Sequence, residues 1–131
     1  MTRVLVVDDE LDIRRVIAYV LEDEGYHVEE ASDGQTALAL IAQHHPDVII
    51  LDMKMPGLDG WEFVSLYRER YGHQAPIIVL TAAQDAARRG ADVSAEAYLP
   101  KPFDLDTLVA RVSALAPPPL PNPKSEIRNP K

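Results

Sequence analysis

The stretch 3-RVLVVDDELD-12 sets an apolar run, Val4-Leu5-Val6-Val7, directly against three acids, Asp8, Asp9 and Glu10. Such a run reads as a buried strand. A strand that ends in crowded carboxylates needs an explanation, because two like charges about 4 Å apart repel by roughly 4 kcal/mol at an effective dielectric of 20. A bound cation would offset that repulsion.

Further strand-length apolar runs follow at His27–Ala31, Val48–Leu51, Ile77–Leu80 and, shortest, Ala97–Leu99. Segments with helical spacing lie between them. Ile13, Ile17, Val20 and Leu21 form one face of a first helix, and Gly25 stands where a helix commonly turns left-handed. Asp33 is placed to cap a second helix carrying Ala37, Leu38 and Ile41, which Pro46 stops from continuing. A third runs from about Trp61 to Tyr71 with Phe63, Val64 and Tyr67 inward. The alanine-rich stretch Ala83–Asp92 is only faintly amphipathic. A last helix begins after Asp104 and buries Leu105, Leu108, Val109, Val112 and Leu115. Strands alternating with helices predict a parallel sheet covered on both faces.

The 131 residues fit one domain, and a 47% hydrophobic content is enough for a core. With no cysteine, disulfides, thiolate nucleophiles and cysteine metal sites are excluded. No apolar run is long enough to span a membrane and no signal pattern opens the chain, so a cytoplasmic, membrane-independent protein is expected. From Pro117 the pattern stops: 117-PPPLPNPKSEIRNPK-131 holds six prolines and reads as an extended tail or linker. The domain division is therefore 1–116 and 117–131. The tail's Lys124, Arg128 and Lys131 outweigh Glu126 by two charges, which leaves the rest at −10 out of a total of −8. A body this acidic repels phosphate backbones and argues against direct nucleic-acid binding.

In a parallel α/β sheet, ligands gather outside the carboxyl ends of the strands. The first strand ends in Asp8-Asp9, the third in Asp52, the fourth in Thr81, and Lys101 follows the fifth. Singly, each has an ordinary reading: Asp8-Asp9 can cap a helix, Asp52 can open the turn at Pro56-Gly57, Thr81 can cap a helix, and Lys101 can be a solvated lysine. Together they put three carboxylates, a hydroxyl and an ammonium on one rim. The four histidines stand away from that rim and are read as non-catalytic.

Four segments, VLVVDDE, DVIILDMKMPGLDGWE, PIIVLTA and YLPKPF, resemble the receiver domain of two-component response regulators over about residues 2 to 116. The resemblance implies a flavodoxin-like, doubly wound parallel sheet of five strands in order 2-1-3-4-5 with five helices. It implies Asp52 as phosphoacceptor, and Asp8 and Asp9 as the acidic pair positioning Mg²⁺ or another divalent cation such as Mn²⁺, with Asp9 the direct ligand. The main-chain carbonyl of Lys54 would be a further ligand. Thr81 and Lys101 would contact the phosphoryl oxygens, Tyr98 would be the aromatic switch residue, and Lys101-Pro102 would be a cis peptide. The implied partners are a histidine kinase or histidine phosphotransfer protein upstream and an unidentified protein downstream. The implied catalysis is limited to self-phosphorylation and self-dephosphorylation at Asp52.

The interval from Thr81 to Lys101 is about two positions shorter than is usual in the family, and Ser94 stands where a glycine often precedes the fifth strand. The fourth helix is therefore expected to be short or irregular, and homodimerisation through its face is left open. Two other readings fit parts of the pattern. A pseudo-receiver would dock a partner without being phosphorylated, although the complete set of rim residues speaks against it. A haloacid-dehalogenase-like phosphatase would need an acid/base aspartate two positions after the nucleophile, where this chain has Lys54.

Overall fold

Each apolar run of the sequence becomes a strand, and among the described residues three of the segments between them wind into helices, with another helix after the last strand. A computed structural model describes residues 2–54, 57–58, 60–82 and 96–116. In chain order these form β1 (Arg3–Val7), α1 (Leu11–Asp23), β2 (His27–Ala31), α2 (Gly34–Gln43), β3 (Val48–Asp52), α3 (Gly60–Tyr71), β4 (Ile77–Ala82), β5 (Ala97–Lys101) and α4 (Leu105–Leu115). The alanine-rich stretch Ala83–Asp92, Ser94 and the tail from Pro117 lie outside the described residues.

All four strand pairings are parallel, and the sheet order is β2-β1-β3-β4-β5. This is the doubly wound, flavodoxin-like arrangement implied by the sequence. Alternating side chains divide the core between its two faces. On one face Leu5, Val7, Ile49, Leu51, Ile77 and Val79 pack with residues of α2 and α3. On the other, Val4, Val6, Val48, Ile50, Ile78 and Leu80 pack with residues of α1 and α4. β3 is buried along its whole length, and the Asp52 carboxylate at its tip is buried with it.

The helix ends follow local chemistry. Gly25 takes φ +102°, its N–H donates to the Glu22 carbonyl, and the Tyr26 N–H donates to the Leu21 carbonyl. This paired closure satisfies carbonyls that the last turn of α1 leaves open. Asp33 caps α2 by accepting from the Thr36 N–H at 2.7 Å. Asp104 precedes α4 with extended backbone as expected, but its side chain makes no capping hydrogen bond.

β3 ends at Asp52 as expected, whereas β4 runs one residue past Thr81 and β5 runs on to Lys101. Asp52 pairs with Leu80, Thr81 with Pro100 and Ala82 with Lys101. Lys101 is thus the last residue of β5 rather than a residue after it, and Thr81 lies in β4, one residue before its end. The ladder hydrogen bonds form through the backbone and do not require apolar side chains. At the opposite end of the sheet, Glu96 locks the start of β5. Its Oε1 accepts from the Ile77 N–H at 2.7 Å and from Arg68 at 2.9 Å. Burial raises the Glu96 pKa, but the Ile77 N–H and the Arg68 guanidinium outweigh it and leave the group below its usual value.

Candidate functional site

The central strands β1 and β3 lie side by side, so their carboxyl tips bring Asp8, Asp9 and Asp52 together. One carboxylate oxygen from each lies within 4.8 Å of the others. Asp8 and Asp52 are buried and Asp9 is exposed. Two buried carboxylates facing a third at the surface form a cup of hard oxygen donors open on one side, which suits a small divalent cation.

Lys101 reaches across from β5 and its Nζ donates to Asp52 Oδ1 at 3.0 Å. The same oxygen accepts from the Lys54 N–H at 3.2 Å, so the turn after β3 folds its backbone onto the strand-end carboxylate. The Lys101–Pro102 peptide is cis. Thr81 is buried, one position past the Leu80 that pairs with Asp52. Tyr98 is partly buried and packs against the α2–α3 side of the core. Lys54 has an exposed side chain, which leaves its main chain as the part that faces Asp52.

Asp8 bears the cost of burial beside another carboxylate. Its Oδ1 accepts from the Glu10 N–H at 2.9 Å, while Oδ2 is buried without a hydrogen-bond partner. Burial is the largest influence on its carboxyl, opposed by the Glu10 N–H and raised again by the charge of Asp52; the result is a pKa pushed up to about 6. A buried acceptor with no donor and a carboxylate held at an unfavourable charge both fit a site shaped for a cation.

All five rim residues expected from the sequence, Asp8, Asp9, Asp52, Thr81 and Lys101, stand at the carboxyl ends of β1, β3, β4 and β5. The histidines stand elsewhere: His45, before β3 begins, meets the Tyr67 hydroxyl at 2.9 Å. Sequence reasoning missed Arg14 and Glu30. Arg14 donates from Nη1 to the Asp8 carbonyl at 2.7 Å and from Nε to Glu30 at 3.0 Å. The available signal was a pair of arginines about one helical turn past the acids.

The sequence model described as the response regulator receiver domain matches residues 4–113. Proteins called response regulator MprA from Mycolicibacterium vanbaalenii and Mycobacterium leprae are 47% and 44% identical over 115 residues, covering 86% of this chain. The chain spans about half the length of these relatives, 49% and 50% respectively. Among solved structures, the receiver domain of Francisella response regulator 1452 aligns with a TM-score of 0.81 at 35% identity, over 88% of this chain and 96% of that one. The Thermotoga maritima response regulator TrrA, solved in complex with Mg²⁺–BeF, aligns with a TM-score of 0.79 at 36% identity, over 88% of this chain and 99% of that one.

Proposed function

The chain belongs to the response regulator receiver domain family of two-component systems, and from that premise we propose that it is a switch phosphorylated on Asp52. The observation that carries this reading is the placement of Asp52: buried at the tip of the central strand, anchored by Lys101 and the Lys54 N–H, and facing Asp8 and Asp9. The Asp52 carboxylate oxygen attacks the phosphorus of a phosphohistidine on a histidine kinase or phosphotransfer protein. An O–P bond forms, the N–P bond breaks, and the electron pair leaves with the imidazole nitrogen. Hydrolysis of the acyl phosphate by water returns the carboxylate and inorganic phosphate.

Asp8, Asp9, Asp52 and the Lys54 main-chain carbonyl would hold the divalent cation, Mg²⁺ or Mn²⁺. When bound, it neutralises charge on the phosphoryl oxygens, which is most of what phosphoryl transfer asks of a protein. Lys101, already directed at the acceptor, keeps an ammonium beside the incoming oxygens. Thr81 donates its hydroxyl to one of them, and Tyr98 follows that movement into the space vacated. The charge added at Asp52 thereby selects between two packings of the β4–β5 side, the state read by a downstream protein. The receiver occupies residues 1–116, residues 117–131 serve as a linker or tail, and the protein works in the cytoplasm. None of the described helices is long and apolar enough to cross a membrane.

The test is intact mass spectrometry after incubation with Mg²⁺ and acetyl phosphate. One added phosphoryl group is expected on the natural chain, and none on Asp52→Asn or when the metal is chelated. Equal modification of Asp52→Asn would refute the assignment.

A further inference from the structure

We propose that Arg14 is a positioning residue for the cation site, holding the peptide that joins Asp8 to Asp9; the proposal rests on the reading of that site given above. Asp8 is the point where the chain leaves the sheet, and it is fixed on three sides. Its N–H donates to the Ala31 carbonyl at 3.0 Å, tying it to the end of β2. Its Oδ1 accepts from the Glu10 N–H at 2.9 Å. Its carbonyl accepts from Arg14 Nη1 at 2.7 Å, tying it to α1. That carbonyl belongs to the planar unit that also carries the Asp9 nitrogen and Cα. Holding the oxygen therefore sets the plane from which both acids project, although Arg14 touches neither carboxylate.

Arg14 suits this task because its own position is determined. It sits in the first turn of α1, where its N–H donates to the Glu10 carbonyl at 3.0 Å. Its side chain is only 13% exposed and Nε is paired with Glu30 at 3.0 Å. Glu30 comes from β2, at the position in register with Val6 of β1. The planar fork can bridge two acceptors at a fixed angle, which a lysine ammonium cannot reproduce. Glu30 also cancels a positive charge that would otherwise stand beside a site for a cation. Arg15 supplies a control: its Nε meets the same Glu30 oxygen at 3.4 Å from a side chain that is 68% exposed.

Charge and position predict opposite signs when Arg14 is replaced. Removing a nearby cation favours binding of a divalent cation, whereas loosening the Asp8–Asp9 peptide opposes it. The experiment is calorimetric titration of the full chain with Mg²⁺ well below the unfolding temperature, for the natural chain, R14Q, R14K and R15Q. Thermal unfolding is recorded alongside. Both Arg14 variants are expected to bind Mg²⁺ about ten-fold more weakly, the scale seen when partners that orient metal ligands are lost, and R15Q is expected to bind as the natural chain does. A purely structural role for Arg14 would lower the unfolding temperature and leave the dissociation constant of the folded protein unchanged. Mg²⁺ binding by R14Q and R14K equal to or tighter than that of the natural chain overturns the proposal. If R14Q does not fold, R14K decides alone, since it keeps the charge and loses the fork. A natural chain that takes up no Mg²⁺ overturns the cation site itself, an outcome distinct from a site that binds without needing Arg14.

Discussion

Asp8 carries a cost that folding alone does not recover. Its carboxyl is fully buried and its pKa rises from 3.8 to about 6. A group whose folded pKa is raised stabilises the fold fully below the unfolded value and loses that contribution as pH rises through the folded one. At 1.36 kcal/mol per unit, the shift from 3.8 to about 6 corresponds to about 3 kcal/mol lost by neutral pH. Asp8→Asn keeps an acceptor for the Glu10 N–H and removes the charge. In chelator at pH 7 it is therefore expected to unfold at higher denaturant than the natural chain, by up to about 3 kcal/mol, and the gap should close towards pH 4. Denaturant titrations at the two pH values check this; a variant less stable than the natural chain at pH 7 would contradict it. Asp8, Asp9, Asp52 and Lys101 were legible in the sequence because a charge at the end of an apolar run announces itself. Arg14 was not, because one of its partners is a main-chain carbonyl and the other lies on a different strand. Residue type records neither.

The elements were legible in kind and less so in extent. Hydrophobic spacing located the described helices, and β3 ends at the expected Asp52, but β4 and β5 run past their expected ends, to Ala82 and through Pro100 to Lys101. Parallel pairing continues through these positions, and it is this continuation that carries the functional side chains to the rim. The start of α3 is constrained from the same side. A Cβ on Gly60 would lie 2.6 Å from the Met53 Cα, in the turn immediately after Asp52. That contact is with backbone, so a side chain at residue 60 must displace either α3 or the turn that presents the Lys54 N–H to Asp52. Gly60→Ala is expected to destabilise the protein by about 1–3 kcal/mol, the usual cost of overpacking. Urea unfolding should show this as a lower midpoint with unchanged slope. An unchanged midpoint would mean that the turn yields without cost.

At the scale of the molecule, alternation of strands and helices specified a parallel sheet with two covered faces, but it did not specify the strand order. That order came from the resemblance of four short segments to a family, since apolar periodicity contains no information about which strands are neighbours. The order matters because the winding reverses at the β1–β3 junction, where adjacent carboxyl ends open a crevice. Asp8 and Asp9 enter it from one strand and Asp52 from the next, with Lys101 arriving from the sheet edge. The fold therefore concentrates like charges where a hard cation and a phosphoryl group can offset them, and under the proposed function one carboxylate, that of Asp52, is the acceptor. The most direct measurement of that claim is borohydride reduction of the protein after treatment with Mg²⁺ and acetyl phosphate, followed by peptide mass spectrometry. Reduction converts an aspartyl phosphate to homoserine and so marks the acceptor itself. Homoserine at position 52, with Asp8 and Asp9 intact, is the predicted result. Homoserine at position 8 or 9, or a phosphoryl group that survives reduction on a hydroxyl such as that of Thr81, would contradict it.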